Sequence, residues 1–92
     1  MKGKGTTSME WMVSASFRPQ DQAEILARIH EEQARIQTLR EQGTVEALYI
    51  GSDRSHVWIV MQGESQDQVQ KDLESLPLYP YMEIAITPLS RM

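Results

Sequence analysis

The residue of this chain best suited to proton transfer is Glu32. On a helical wheel at ~100° per residue, Ile25, Ile29, Ile36 and Leu39 form one apolar stripe, and Glu32 falls inside it. A carboxylate on a core-facing stripe is costly unless it is paired, protonated or beside a cavity. Burial also disfavours its charged form and raises its pKa, which suits a general acid or base. A plainer alternative stands beside this one: the side chain reaches the helix edge or pairs with Arg28 or Arg35, one turn away. His30 lies off the centre of the stripe and reads as a surface histidine.

A second group depends on topology. The end of a first strand, a hairpin turn and the start of a last strand would meet at one edge. That would gather Arg18, Arg54, His56, Tyr79, Tyr81 and Glu83. Arginines, a histidine and tyrosines can recognise an anionic ligand; the same set also makes a polar rim of a subunit interface. Asp53 and Arg54 sit in a Gly-Ser-Asp turn. Ser55–His56 has no acid at a recognisable spacing, so no hydrolase triad is read there. Trp11, Trp58 and Tyr49 are expected in the core or a pocket wall, with Trp11 and Tyr49 lining the pocket. The absence of cysteine excludes a disulfide scaffold, a thiolate zinc site and a cysteine nucleophile. With only two histidines, no metal site is expected, and no cofactor motif is present.

The elements that must position these groups follow from periodicity. Met9–Phe17 alternates, with Trp11, Val13, Ala15 and Phe17 on one face, and reads as a strand closed by Arg18-Pro19. Asp21 with Glu24 has the form of a helix start, and an unbroken helix is expected from Gln22 to Gln42, with Gly43 at its C-terminal cap. Thr44–Ile50 and His56–Gln62 read as a hairpin around Gly51–Ser55. Ser65 with Gln68 caps a short helix that Pro77 stops, and Tyr81–Thr87 is a fourth strand. The order β-α-β-β-α-β predicts an α+β, ferredoxin-like fold: an antiparallel four-stranded sheet, strand order 4-1-3-2, with both helices on one face. The other face, carrying Met12, Trp58 and Val60, would then lack a cover, and a sheet-to-sheet homodimer is expected.

Ninety-two residues suffice for one small core, which makes self-association the more reasonable. Residues 1–8 read as a flexible leader and residues 9–92 as one domain. A net charge of −4 supplies no electrostatic footprint for nucleic acid. No apolar run approaches a membrane span and no signal peptide is visible, so a cytoplasmic protein is expected.

The segment Leu76-Pro-Leu-Tyr-Pro-Tyr-Met-Glu-Ile84 resembles the LPLFPYMD signature that precedes the last strand of muconolactone Δ-isomerases, with Tyr79 for Phe and Glu83 for Asp. Glu32, the Leu39 region, Gly43-Thr44 and Leu48 extend the likeness over Met9 to Leu89. The resemblance implies a dimeric ferredoxin-like barrel, often built into larger rings. It also implies a cofactor-independent double-bond shift on a small lactone by proton transfer. Glu32 matches an acid of the isomerases, and YCII-like proteins, which the Leu48–Ser55 stretch also resembles, place a histidine at the corresponding distance. One segment departs: the isomerases follow Gly-Thr with Trp-Arg-His-Leu-Trp-Arg, where this chain has Val45-Glu-Ala-Leu-Tyr-Ile50.

Two functions remain open on these grounds. In the first, Glu32 moves a proton in a pocket lined by Trp11 and Tyr49, with Arg18 or Arg54 holding a carboxylate and His56 and Tyr81 completing the substrate contacts. In the second, the chain is a non-catalytic oligomeric module that binds a ligand or a partner.

Overall fold

The computed structural model describes residues 9–90; the leader expected at 1–8 lies outside them. Strand β1 (Met9–Phe17) is followed by a 3-10 turn (Pro19–Asp21), then helices α1 (Gln22–Ala27) and α2 (Ile29–Glu41). The hairpin β2 (Val45–Ile50) and β3 (His56–Gly63), helix α3 (Gln66–Glu74), a second 3-10 turn (Tyr79–Tyr81) and β4 (Met82–Leu89) complete the chain. The sheet is antiparallel in the order β2-β3-β1-β4, the expected order read from the other edge. The α+β ferredoxin-like architecture is therefore observed.

Alternation in β1 sets the two faces. Trp11, Val13 and Ala15 are buried on the helix side, opposite Met61, Ile59 and Val57 of β3. With Leu39 of α2 and Val69 and Leu73 of α3 they build the core. Trp11 donates its indole N–H to the Gly63 carbonyl at 3.1 Å, so its polar atom is satisfied within the core. The other face carries Met12, Ser14, Trp58 and Val60, and among the described residues no helix covers it. Trp58 remains 38% exposed there.

Two expectations about the helices need correction. The expected single helix breaks at Arg28, whose backbone leaves the helical region at φ −112°, ψ 5°. Arg28 N–H bonds back to the Ile25 carbonyl, closing α1 with a tight turn. No residue of α1 is buried, so the core does not hold the two segments in one register. Asp21 also makes no side-chain cap; its carboxylate pairs with the Arg18 guanidinium at 3.0 Å, because an ionic partner outcompetes a neutral amide. Ser65 caps α3 as expected, accepting from the Gln68 N–H, and Gly43 adopts φ +81° just past α2.

A register shift between Val45 and Ala47 interrupts the alternation of β2. Val45 faces the core opposite Met61, yet beyond the shift Leu48 and Ile50 take that face, opposite Ile59 and Val57. Tyr49, opposite Trp58, is turned to the open face. One extra residue thus reverses the orientation that strict alternation from Val45 gives.

Candidate functional site

Helices α1 and α2 and the end of the sheet near the β2–β3 turn form the walls of a half-open cavity of about 550 Å³. That volume is in the range of small-molecule sites. Its helical wall is Ile25, Ile29 and Ile36, and its sheet wall is Leu48, Val57 and Ile59, closed by Phe17, Leu78 and Met82. Set into this apolar lining is the carboxyl group of Glu32.

Glu32 is half-buried, and its Oε1 accepts a hydrogen bond from the Leu78 backbone N–H at 3.0 Å. That amide is available because Leu78 lies between the end of α3 and the 3-10 turn, where the neighbouring amides of Tyr79 and Tyr81 bond locally to Leu76 and Leu78. Among the described residues Oε2 has no hydrogen-bond partner. Burial raises the Glu32 pKa above its ordinary 4.5, and the Leu78 bond offsets only part of that effect. The alternative of a surface ion pair does not hold. Arg28 donates to the Glu24 carbonyl and lies over the Tyr81 ring at 5.4 Å, and Arg35 donates to Ser75 Oγ at 2.9 Å.

Polar groups ring the mouth: Arg18, Arg40, Asp53 and Arg54 all border it. Arg18 is committed elsewhere, to Asp21, to the Pro80 carbonyl at 3.1 Å and to Glu83 at 3.9 Å. Asp53 Oδ1 accepts from both the N–H and the hydroxyl of Ser55, which holds its carboxyl below the usual range. Arg54 is the non-glycine residue with positive φ, at 64°, among those described.

Of the seven residues assigned to a substrate site from the sequence, Glu32, Arg18 and Arg54 border the cavity. The other four stand apart from it, and the expected wall of Trp11 and Tyr49 is corrected. Trp11 is sealed in the core, and Tyr49 points to the open face because of the register shift in β2. His56 stacks on Trp58, ring centroids 5.6 Å apart, and Tyr81 lies beneath Arg28. The expected edge cluster forms in part: Arg18 meets Glu83 and the Pro80 carbonyl, and the Phe17 N–H bonds the Ser55 carbonyl across to the hairpin turn. Tyr79 instead turns inward, its hydroxyl 2.6 Å from Gln70 Nε2. Two participants escaped the sequence reading. Arg40 continues the line of Ile29, Gln33 and Ile36 at helical spacing, a signal that was available. The Leu78 amide is backbone and leaves no mark in composition. Among the described residues no group of three or more His, Asp or Glu side chains is arranged to hold a metal ion.

Comparison with known proteins places this architecture. A solved muconolactone isomerase is 25% identical, with a TM-score of 0.76 over 91% of each chain. The 5-chloro-2-hydroxyhydroquinone dehydrochlorinase of Burkholderia phenoliruptrix, solved with 2,5-dihydroxybenzoquinone, shares the fold at TM-score 0.76 and 14% identity, over 91% of this chain and 96% of that one. An antibiotic biosynthesis monooxygenase, itself putative in description, from Bacteroides thetaiotaomicron shares it at TM-score 0.58 and 13% identity, over 96% and 92%. Among curated proteins none matches the chain. The family described as muconolactone delta-isomerase matches over residues 9–92, and the chain belongs to that family.

Proposed function

We propose that this protein is a cofactor-independent isomerase that shifts a double bond in a small lactone or unsaturated acid, with Glu32 as the proton-transfer group. The observation that carries the reading is a carboxyl group of raised pKa set among the aliphatic side chains of a mainly apolar cavity wall. A base removes a proton α to a carbonyl more effectively when its proton affinity is raised toward the working pH. Desolvation supplies that here. The Leu78 N–H fixes Oε1 and leaves Oε2 for the substrate carbon acid. Glu32 takes the proton as the C–H electron pair moves into conjugation with the carbonyl, then returns it to the far carbon of the extended enolate. No atom is gained or lost. Of the two arginines read from the sequence for holding a substrate carboxylate, Arg54 on the cavity border is the one without an ion pair among the described residues, while Arg18 is engaged by Asp21, Glu83 and the Pro80 carbonyl.

A second reading is a ligand-binding module without catalysis. It is favoured by Ile50, an apolar cavity residue where the isomerase run ends in arginine. Proton NMR of muconolactone and related unsaturated lactones in deuterated buffer separates the two. Protein-dependent loss of the α-proton signal supports the isomerase; saturable binding without exchange supports the module.

In either reading we propose that the protein works as a homodimer or larger ring. The open sheet face with Met12, Tyr49, Trp58 and Val60 is the surface offered to a second copy.

A further inference from the structure

The two halves of the helix-facing side are packed differently. On α3, Val69 and Leu73 are sealed from solvent. On α1 and α2 only Leu39 is buried, and Ile25, Ile29, Ile36, Leu48 and Val57 stay partly exposed around the cavity. This apolar lining continues outward into two further aliphatic side chains. Leu26 of α1 is 62% exposed and Ile50, the last residue of β2, is 59% exposed, and both border the cavity. Topology sets their elements at one end of the sheet. The Phe17 N–H bonds the Ser55 carbonyl at 3.2 Å, so the chain enters α1 beside the turn that follows Ile50. Single exposed aliphatics are ordinary, but one on the helical wall and one on the sheet wall of the same apolar cavity extend a continuous patch. At about 550 Å³ the space has room for roughly eighteen waters at ~30 Å³ each, more than a single lactone ring with a short side chain displaces.

We propose that Leu26 and Ile50 are specificity-determining residues, and that the ligands of the cavity are lactones or related unsaturated carbonyl compounds carrying an alkyl substituent that lies against both side chains. The carbonyl end sits at Glu32, and the alkyl chain runs toward the mouth and covers the two aliphatics there. The inference rests on the reading of the cavity as a lactone site and adds the class of substrate to it. A ligand, rather than a second copy of the chain, is the cover because the patch is continuous with the cavity lining, whereas the surface offered to a second copy is the opposite face of the sheet.

The test titrates the full chain with γ-valerolactone, γ-octalactone and γ-decalactone, neutral lactones that differ only in the length of one alkyl chain, and follows the amide signals of Leu48, Val57 and Leu78. Affinity should rise by about threefold per methylene from the first to the second, somewhat under the full transfer value of about fourfold because the cavity is half-open. Leu26→Ser and Ile50→Ser should each lower the affinity for γ-octalactone by about fivefold relative to γ-valerolactone, and the double variant should bind all three alike. Both side chains are more than half exposed, so these changes leave the core intact. Ile50→Val, and Met9→Ser at the other end of β1, should preserve the gain with chain length. Affinity that does not rise with chain length, or a rise that survives the double variant, would overturn the inference while leaving the lactone site in place. A rise that the double variant abolishes, in a protein that exchanges no lactone proton, would support the inference while the isomerase reading failed. A changed assembly mass of the serine variants in light scattering would assign the patch to a second copy and overturn the inference. Absence of any lactone-induced shift would overturn it together with the reading on which it rests.

Discussion

The Glu32 carboxylate accepts the Leu78 N–H at 3.0 Å across 46 residues of sequence. The bond fastens α2 to the segment between α3 and β4. It also explains how a carboxylate is tolerated on an apolar helix face. One oxygen has a neutral donor rather than a cation, so the charge is held in place without being cancelled.

That arrangement fixes a pH dependence. The folded-state pKa of Glu32 is raised by desolvation, so folding favours its protonated form. Its contribution to stability is therefore complete below the ordinary 4.5 and is lost as pH rises through the raised folded value. Glu32→Gln keeps an acceptor for Leu78 and does not ionise. Urea midpoints from about pH 4 to about pH 8 should show the variant gaining on the wild type as pH rises. Parallel curves would mean that Glu32 titrates as an ordinary surface carboxylate.

A charge at Val60 tests the open sheet face. Val60 pairs with Met12 and lies beside the exposed Trp58 strand position, on the side away from the helices. Val60→Glu should convert an oligomer at micromolar concentration into monomers by light scattering, with the circular dichroism of the fold retained. A wild type that is already monomeric would contradict the sheet-to-sheet pairing.

Tyr79 is expected to matter within the protomer. Its ring packs against the core and its hydroxyl meets Gln70 Nε2 at 2.6 Å. Tyr79→Phe should cost about 1 kcal/mol, the net worth of one hydrogen bond. Tyr79→Ser should cost about 2 kcal/mol through loss of the partly buried ring. Thermal denaturation reads both; no change in either variant would place the ring in solvent.

Much of this fold was visible in residue patterning, and the exceptions have local causes. The β-α-β-β-α-β order, the faces of β1 and the Ser65 cap follow from alternation and cap chemistry that tertiary contacts do not oppose. The break at Arg28 was hidden, because Gln22 to Gln42 contains neither glycine nor proline and the discontinuity arises from α1 burying nothing. The turning of Tyr49 was hidden for a related reason. Alternation assumes an unbroken ladder, and the shift beyond Val45 is a property of how β2 meets β3. Within the site, Glu32 was legible because a lone acid on an apolar stripe conflicts with its surroundings. Its partner was not, since a backbone amide has no residue type.

The most direct measurement is carbon-bound deuterium exchange on muconolactone, wild type against Glu32→Gln, at a pH above the titration of Glu32. If Glu32 is the proton-transfer group, the wild type incorporates deuterium and the variant binds the lactone with similar affinity. Its exchange rate should fall by about 10²–10⁴, the usual worth of a positioned base. Undiminished exchange in a folded Glu32→Gln protein would contradict the account, as would a wild type that binds the lactone and exchanges nothing.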